Sequence, residues 1–317
     1  MIDLSIIIVS WNTKEYLRPC IESIFQMEAR ISAELIIVDN GSQDGSGSEV
    51  KKAFPTLCLI ENKRNMGFAR AANQGLEKSS GRYILLLNPD TQVKKRTLEQ
   101  VVSFMDFHPD AGVAGAQLLN RDGSKQNSIA NFPSLATELF NKSLLRMLFP
   151  KKFPGKERNY PEPIEVDSVI GACMIVRRKA MEQVGCLDED YFLFFEETDW
   201  CYRMKKVGWK VYHVPQAEIY HYQGKSAEIE KEKARVEYYR SRYHFFNKNR
   251  SGFQWFILLT ALMTKLSFQL IYFTLVCFFT LFGIKKLRKK LFLYAYLMGW
   301  HLRGCPEGMG LKEMLFI

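Results

Sequence analysis

The 317-residue sequence has no cysteines spaced as Cys-x-x-Cys; its seven (Cys20, Cys58, Cys173, Cys186, Cys201, Cys277 and Cys305) are an odd, scattered set. That argues against a disulfide framework or a zinc site and for reduced thiols in a cytosolic setting. A secretory leader is not expected either. MIDLSIIIVSW carries an acid at Asp3, no basic n-region, and an apolar run only from Leu4 to Val9, so it reads as a first buried strand. Also absent is a Gly-rich, Lys/Arg-bearing signature near the N-terminus for a triphosphate substrate, which disfavours a nucleotidyltransferase. Finally, the body of the chain lacks a strong excess of cations: of the net charge of +10, +6 falls from Ser251 onward. A nucleic-acid face is therefore not expected, while a basic tail beside apolar sequence suits an anionic membrane surface.

What is present begins with alternation. LSIIIVSW, ELIIVDNGS, TLCLIENKRNMG and RYILLLNPDT are β-rich runs, separated by helical stretches at Lys14 to Met27, Gly47 to Ala53 and Phe68 to Lys78. Near-continuous apolar strands between helices predict an α/β fold with a mostly parallel sheet covered on both faces. Ligands bind such sheets at the carboxyl ends of the strands, and SWN, DNGSQDGS, NKRNMG and NPDT all fall there. Arg121 to Pro163 has no sustained period and reads as a long loop with a short basic amphipathic piece. A strand and helix follow in VDSVIGACMIVRRKAMEQVG, then a helix at Trp200 to Val207 and a strand in WKVYHVP. Ala227 to Arg250 reads as a long exposed helix. Phe253 to Ile284 is strongly apolar, and Leu266 to Ile284 holds no charge, close to the length of about 20 residues that spans a bilayer. KKLRKK directly after it would sit on the wrong side of a single span, which favours a re-entrant or interfacial arrangement, or a second short segment at Leu291 to Trp300.

Several residues at the sheet edge could carry chemistry. Asp39 could accept from the imide N–H of a uracil or thymine ring, with Gly41 and Ser42 as backbone donors, or could form an Asx turn. Asp90, after Pro89, could hold a divalent cation together with phosphate, or could be a turn aspartate. His221 is placed to return to the same edge as a second ligand; His108, His213, His244 and His301 read as structural or surface residues. In FLFFEETDWC, Glu196, Glu197 and Asp199 could complement a helix N-terminus. The two glutamates beside Phe192, Phe194 and Phe195 also fit a general base whose pKa is raised by burial and repulsion.

Taken in order, VSWNT, IIVDNGSQDGS, NKRNMGFARAANQG, LLLNPDT, GACMIVRRKAMEQVGCLDEDYFLFFEETDW and YHYQGKS resemble the family 2 glycosyltransferases. The likeness covers Leu4 to Ser226 and is nearest to bacterial rhamnosyltransferase-like enzymes that build cell-surface polysaccharide. It implies a GT-A Rossmann-like nucleotide-diphospho-sugar transferase fold at 1–226; the charge and apolar patterns beyond it add a charged linker helix at 227–250 and membrane-associated helices at 251–317. It also implies an inverting transfer from a nucleotide diphosphate sugar, rhamnose by analogy, to a hydroxyl of a glycan or lipid-linked acceptor, with Mg2+ or Mn2+, at the cytoplasmic face of the membrane. By position, Ser10, Asn12, Asp39, Gly41, Ser42, Asn65, Gly67 and Asn73 would line the nucleotide. Asp90 and His221 would hold the metal and Glu197 would be the base, with Glu196 supporting it and Asp199 serving the helix. The basic Asn141 to Arg158 loop and the apolar tail would hold a lipid-linked acceptor. Two departures stand out: Asn88 replaces the first acid of the usual Asp-x-Asp, and the base position, commonly Asp, is Glu197. A non-catalytic, membrane-tethered carbohydrate- or nucleotide-binding protein of the same fold is the alternative.

Overall fold

The computed structural model describes residues 2–26, 31–155, 159–222 and 231–312. The end of the predicted first helix (Met27), Lys156 to Arg158 of the basic loop, Gln223 to Ser226 of YHYQGKS, 227–230 of the linker and 313–317 of the tail lie outside them. The chain begins with β1 (Leu4–Ser10), α1 (Lys14–Phe25), β2 (Ala33–Asp39), α2 (Ser46–Ala53), β3 (Cys58–Glu61), α3 (Phe68–Lys78) and β4 (Tyr83–Leu87). Next come β5 (Thr91–Val93), α4 (Thr97–Phe107), β6 (Ala111–Leu119), β7 (Ile129–Ala130), α5 (Leu135–Leu139) and α6 (Lys142–Leu148). They are followed by β8 (Ile164–Glu165), β9 (Ser168–Val169), β10 (Cys173–Arg177), α7 (Arg178–Val184), α8 (Glu196–Lys206) and β11 (Lys210–His221). The remaining helices are α9 (Lys231–Asn249), α10 (Gly252–Phe279) and α11 (Lys285–Leu302).

The main sheet runs β3-β2-β1-β4-β10-β6-β11-β5, with β8 paired to β11. Its first four strands are parallel, as the alternation predicts. β10 is antiparallel to both neighbours, and β11 returns parallel to β6. Although β1 and β4 are buried throughout, their side chains still divide by the strand period of two. Leu4, Ile6 and Ile8 pack with α1, while Ile7 and Val9 pack with α3. Both faces are thus covered, and the functional edge is left to the strand ends. β2 and β3 lie on one side of β1 and β4 on the other, so the order reverses at β1. The crevice expected at such a reversal opens beyond the carboxyl ends of β1 and β4.

The described residues form two compact units: one of residues up to Phe132, 142–192 and 196–222, the other of 133–141, 193–195 and 231–312. The 121–163 segment, expected as a loop, contains β7, α5 and α6, and α5 belongs to the second unit. α6, in the basic piece, buries no residue. The expectation of an exposed helix at 227–250 is overturned. α9 buries Val236, Glu237, Ser241, Arg242, Tyr243, Phe245 and Phe246; three of its polar side chains find partners within the second unit, although Glu237 Oε2 and Arg242 Nε lack a hydrogen-bond partner among the described residues. Arg242 pairs with Glu138 at 3.0 Å, Ser241 Oγ donates to the Leu193 carbonyl at 2.8 Å, and Glu237 accepts from the Leu311 N–H at 3.0 Å. Charged groups tolerate burial when so paired. α10 starts at a capping box formed by Ser251 and Gln254, and α11 packs back along it as a helical hairpin.

Candidate active site

The strand ends are joined by side-chain amides. Asn40, buried directly after β2, donates through Nδ2 to Asn65 Oδ1 at 2.9 Å and to the Gly67 carbonyl at 3.2 Å. Its Oδ1 accepts from Asn62 Nδ2 and from the Met66 N–H, both at 3.0 Å. This one residue therefore locks the loop after β2 to the loop after β3. Gly41 is pressed between them at φ +76, where a Cβ would lie 2.5 Å from the Arg64 carbonyl carbon. On the β1 side, the Asn12 N–H donates to Ser42 Oγ at 2.9 Å and Asn12 Oδ1 accepts from the Gln43 N–H at 2.8 Å. Ser10 Oγ lies 2.8 Å from Thr13 Oγ1. Asp39 is buried at this junction and takes a 3.3 Å bond from the Ser42 N–H. Burial pushes its carboxyl above the usual range, partly offset by Ser42. A carboxylate left short of donors in a sheet-edge cleft suits an N–H of a ligand.

Not every residue predicted for the nucleotide faces such a cleft. Asn73 donates to the Leu187 carbonyl at 2.9 Å and to Glu189 at 3.1 Å, and accepts from the Leu187 N–H at 3.1 Å. Its amide is engaged in tying α3 to the 187–189 loop, a scaffold role. Gly67 is likewise a packing position. At φ +86, a Cβ would meet the Phe192 carbonyl oxygen at 2.8 Å, and Phe192 accepts the Phe68 N–H at 2.8 Å.

Asp90 and His221 come together as predicted, although His221 is the last residue of β11 rather than part of a following loop. Antiparallel pairing of β5 with β11 sets His221 opposite Thr91, and the Tyr222 N–H donates to the Asp90 carbonyl at 2.9 Å. His221 Nε2 then lies 3.5 Å from Asp90 Oδ1, with both side chains largely buried. The other ring nitrogen, Nδ1, is 2.9 Å from Gln126 Oε1. Gln126, unremarked in the sequence because it falls in the aperiodic 121–163 segment, is buried and donates through Nε2 to the carbonyls of His221 and Leu119.

Glu196, Glu197 and Asp199 form the first turn of α8 rather than preceding it. Asp199 is fully buried and accepts from Arg203 Nε at 2.8 Å, one turn on, so its carboxylate serves the helix and is not offered for catalysis. The glutamates differ from it: Glu196 Oε2 and Glu197 Oε2 are buried without hydrogen-bond partners among the described residues. Burial pushes Glu196 well above the ordinary carboxylate value, and the charge of Glu197 adds to the rise. Burial also raises Glu197, against the pull of its own and the Thr198 backbone N–H groups. Both carboxyls are thus raised, and a charge on either opposes ionisation of the other. The aromatic run splits here. Phe194 and Phe195 hold left-handed backbone at φ 70 and 67, and their rings pack on Tyr238 at 5.7 and 5.2 Å. They are thus not shown to wall in Glu197. Instead, Glu197 Cβ and Cγ lie against Gly171, each 3.7 Å from where a Cβ there would be. The neighbouring Ala172 carbonyl accepts the Asn88 N–H at 3.0 Å, which sets the base candidate beside the NPDT turn that carries Asp90.

Comparison with known proteins identifies the family and the fold. Residues 5–185 match the model of Glycosyl transferase family 2. The chain is 26% identical over 264 residues to an N-acetylglucosaminyl-diphospho-decaprenol L-rhamnosyltransferase of Mycobacterium tuberculosis, covering 78% of this chain and 85% of that protein. It is 30% identical over 213 residues to a low-salt glycan biosynthesis hexosyltransferase of Haloferax volcanii, covering 64% of this chain and 62% of that one. Among solved structures, a Pyrobaculum calidifontis mannosyltransferase in complex with GDP-Man and Mn2+ matches 95% of this chain and 86% of its own, with a TM-score of 0.56 and 15% identity. GalNAc-T7 with UDP, GalNAc and Mn2+ matches 70% of this chain and 44% of its own, with a TM-score of 0.53 and 17% identity. These neighbours share the GT-A fold. With a family match over more than half its length, this chain belongs to glycosyl transferase family 2 and is a glycosyltransferase.

Proposed function

We propose that the protein moves a sugar, rhamnose by its likeness to the mycobacterial enzyme, from a nucleoside diphosphate donor to a hydroxyl of a glycan or lipid-linked acceptor with inversion. The observation that carries this reading is Glu197: a half-buried residue whose carboxylate has a buried, unpartnered oxygen and a raised pKa, packed on Gly171 next to the residue that bonds the NPDT turn. Its carboxylate takes the acceptor's O–H proton as that oxygen bonds to the anomeric carbon. The bond from that carbon to the diphosphate oxygen breaks, and its electron pair leaves with the nucleoside diphosphate. Asp39, with the Ser42 backbone beside it, holds the base, and the Asn40 network keeps these loops in register before the donor arrives.

Asp90 and His221 would hold Mg2+ or Mn2+. The fit is supported by their 3.5 Å separation, which exceeds a good hydrogen bond of about 2.7–3.2 Å and lies within the reach of two metal bonds of about 2.1 Å. One carboxylate and one imidazole leave positions for diphosphate oxygens and water, so Asn88 need not be an acid. When bound, the cation would neutralise charge on the leaving diphosphate. The membrane surface, at its cytoplasmic face, is the proposed partner of α10. This helix is long and apolar enough to cross a membrane and only 17% of its most apolar window is buried, and the basic start of α11 follows it. α6 offers exposed apolar and cationic side chains for a lipid-linked acceptor.

A donor screen tests the proposal. The protein is incubated with UDP, dTDP and GDP sugars and Mg2+ or Mn2+, with and without lipid acceptor, and released nucleoside diphosphate is measured. One donor should stand out. Binding of sugars or nucleotides without turnover of any donor would favour the non-catalytic reading instead.

A further inference from the structure

We infer that Gln126 is a positioning residue that sets the tautomer of His221 and thereby turns the Nε2 lone pair toward Asp90. The inference rests on the reading of Asp90 and His221 as a metal pair and adds a residue that acts only through His221. After β6, the Asn120 and Ser124 backbones close a tight turn, and the Gln126 N–H bonds the Leu118 carbonyl at 2.8 Å. The Gln126 backbone is held again by Gln117, whose Nε2 donates to the Gln126 carbonyl at 3.1 Å. The Gln126 carboxamide can take only one orientation. Its NH2 meets two carbonyl oxygens, those of His221 and Leu119, and reversing it would set Oε1 against both acceptors. Oε1 is therefore the atom that faces His221 Nδ1 at 2.9 Å, and an amide oxygen can only accept. Nδ1 must carry the proton, so in the neutral ring Nε2 bears a lone pair. That lone pair looks at Asp90 Oδ1 across 3.5 Å, acceptor against acceptor, an arrangement that a shared cation would relieve. A hydrogen bond from the non-ligating nitrogen of a histidine to a fixed acceptor orients metal-binding imidazoles in general. Here the acceptor belongs to a carboxamide that also grips the backbone of the histidine it orients.

The test has a metal-free arm. With 15N-labelled histidine, the five imidazoles are observed by long-range 15N–1H correlation in the full-length protein, and the His221 signals are identified by their loss in His221→Ala. The wild type should show a protonated Nδ1 and an unprotonated Nε2. Gln126→Leu should populate the Nε2–H form and weaken Mn2+ binding, titrated by the electron paramagnetic resonance of free Mn2+, by about 10- to 100-fold. The thermal midpoint of Gln126→Leu and its four other imidazole signals, unchanged from wild type, separate loss of the acceptor from loss of the fold. An Nε2–H tautomer in the wild type would overturn the inference, as would Gln126→Leu with wild-type tautomer and Mn2+ affinity. Failure of the wild type to bind Mn2+ at all, with the tautomer as stated, would instead remove the metal reading and with it the role assigned to Gln126 in metal binding.

Discussion

At the scale of single residues, the two adjacent glutamates make opposite demands. Glu197 must lose its proton to work as a base, and that charge opposes ionisation of Glu196, whose carboxyl burial already raises. Glu197→Gln should retain nucleotide binding and lower transfer by about 10²- to 10⁴-fold. Glu196→Gln, which mimics the protonated form, should retain most activity. In the wild type kcat/KM should fall on the acid side through a pKa above the ordinary glutamate value of 4.5, measured as a pH–rate profile. Stability should move the other way. A carboxyl raised in the folded state contributes fully below pH 4.5, its unfolded value, and that contribution is lost as pH rises through the folded value. Glu196→Gln should therefore narrow the difference in urea midpoint between pH 4.5 and alkaline pH. Gly41→Ala meets both a left-handed backbone and the Arg64 main chain at 2.5 Å, and should cost about 1–3 kcal/mol by the same midpoint measurement.

At the scale of elements, β1 to β4 and their helices were legible because β1, β2 and β4 are near-continuous buried runs and turn residues close all four strands at one edge, even though the edge strand β3 is only partly buried. Phe68 to Lys78 is found as α3 with the same limits. What local pattern could not show was pairing over long separations. Antiparallel β10, the β5–β11 pair that carries His221, and the return of Gln126 beside β6 all depend on partners remote in the chain. The EETD turn was misjudged by four residues, since acids ahead of Trp200 look like a cap until their burial is known. The basic and apolar character of the tail was visible, but not which faces are spent on packing. α10 buries Leu258, Leu262, Leu266, Phe273 and Cys277 on one side, and exposes Phe253 and Phe256 near its start and Phe268, Ile271, Leu275 and Phe278, at spacings of three and four, in its second half. Lys285, Lys286, Arg288, Lys289 and Lys290 follow in α11. Membrane binding should therefore need both parts. In flotation assays, Phe268→Asp with Leu275→Asp should weaken binding to vesicles of any charge. Replacing the five cations by Gln should weaken binding to anionic vesicles alone, and added salt should mimic that loss.

For the whole molecule, the chain was expected to divide into three consecutive regions, and the structure brings 133–141, 193–195 and the helices from α9 onward into one unit. Sequence order hides such an assembly because its first two pieces are too short to show a period. One consequence can be tested. A cut after Arg250 removes α10 and α11, both of which pack on α9, along with Trp300, which stacks on Tyr243 at 6.3 Å, and Leu311, which donates to buried Glu237. Such a chain should show a lower thermal midpoint and less soluble protein than the full length, in detergent, rather than behave as a clean catalytic fragment. The sheet edge carries a constraint of another kind. Loops usually change length freely as proteins diverge, yet those after β2 and β3 meet on a single carboxamide, Asn40, that makes four bonds to four residues, two through side chains and two through the backbone. An insertion in either loop would have to rebuild all four at once. Descendants of this protein can thus exchange the side chains that read a donor far more easily than they can resize the frame around them.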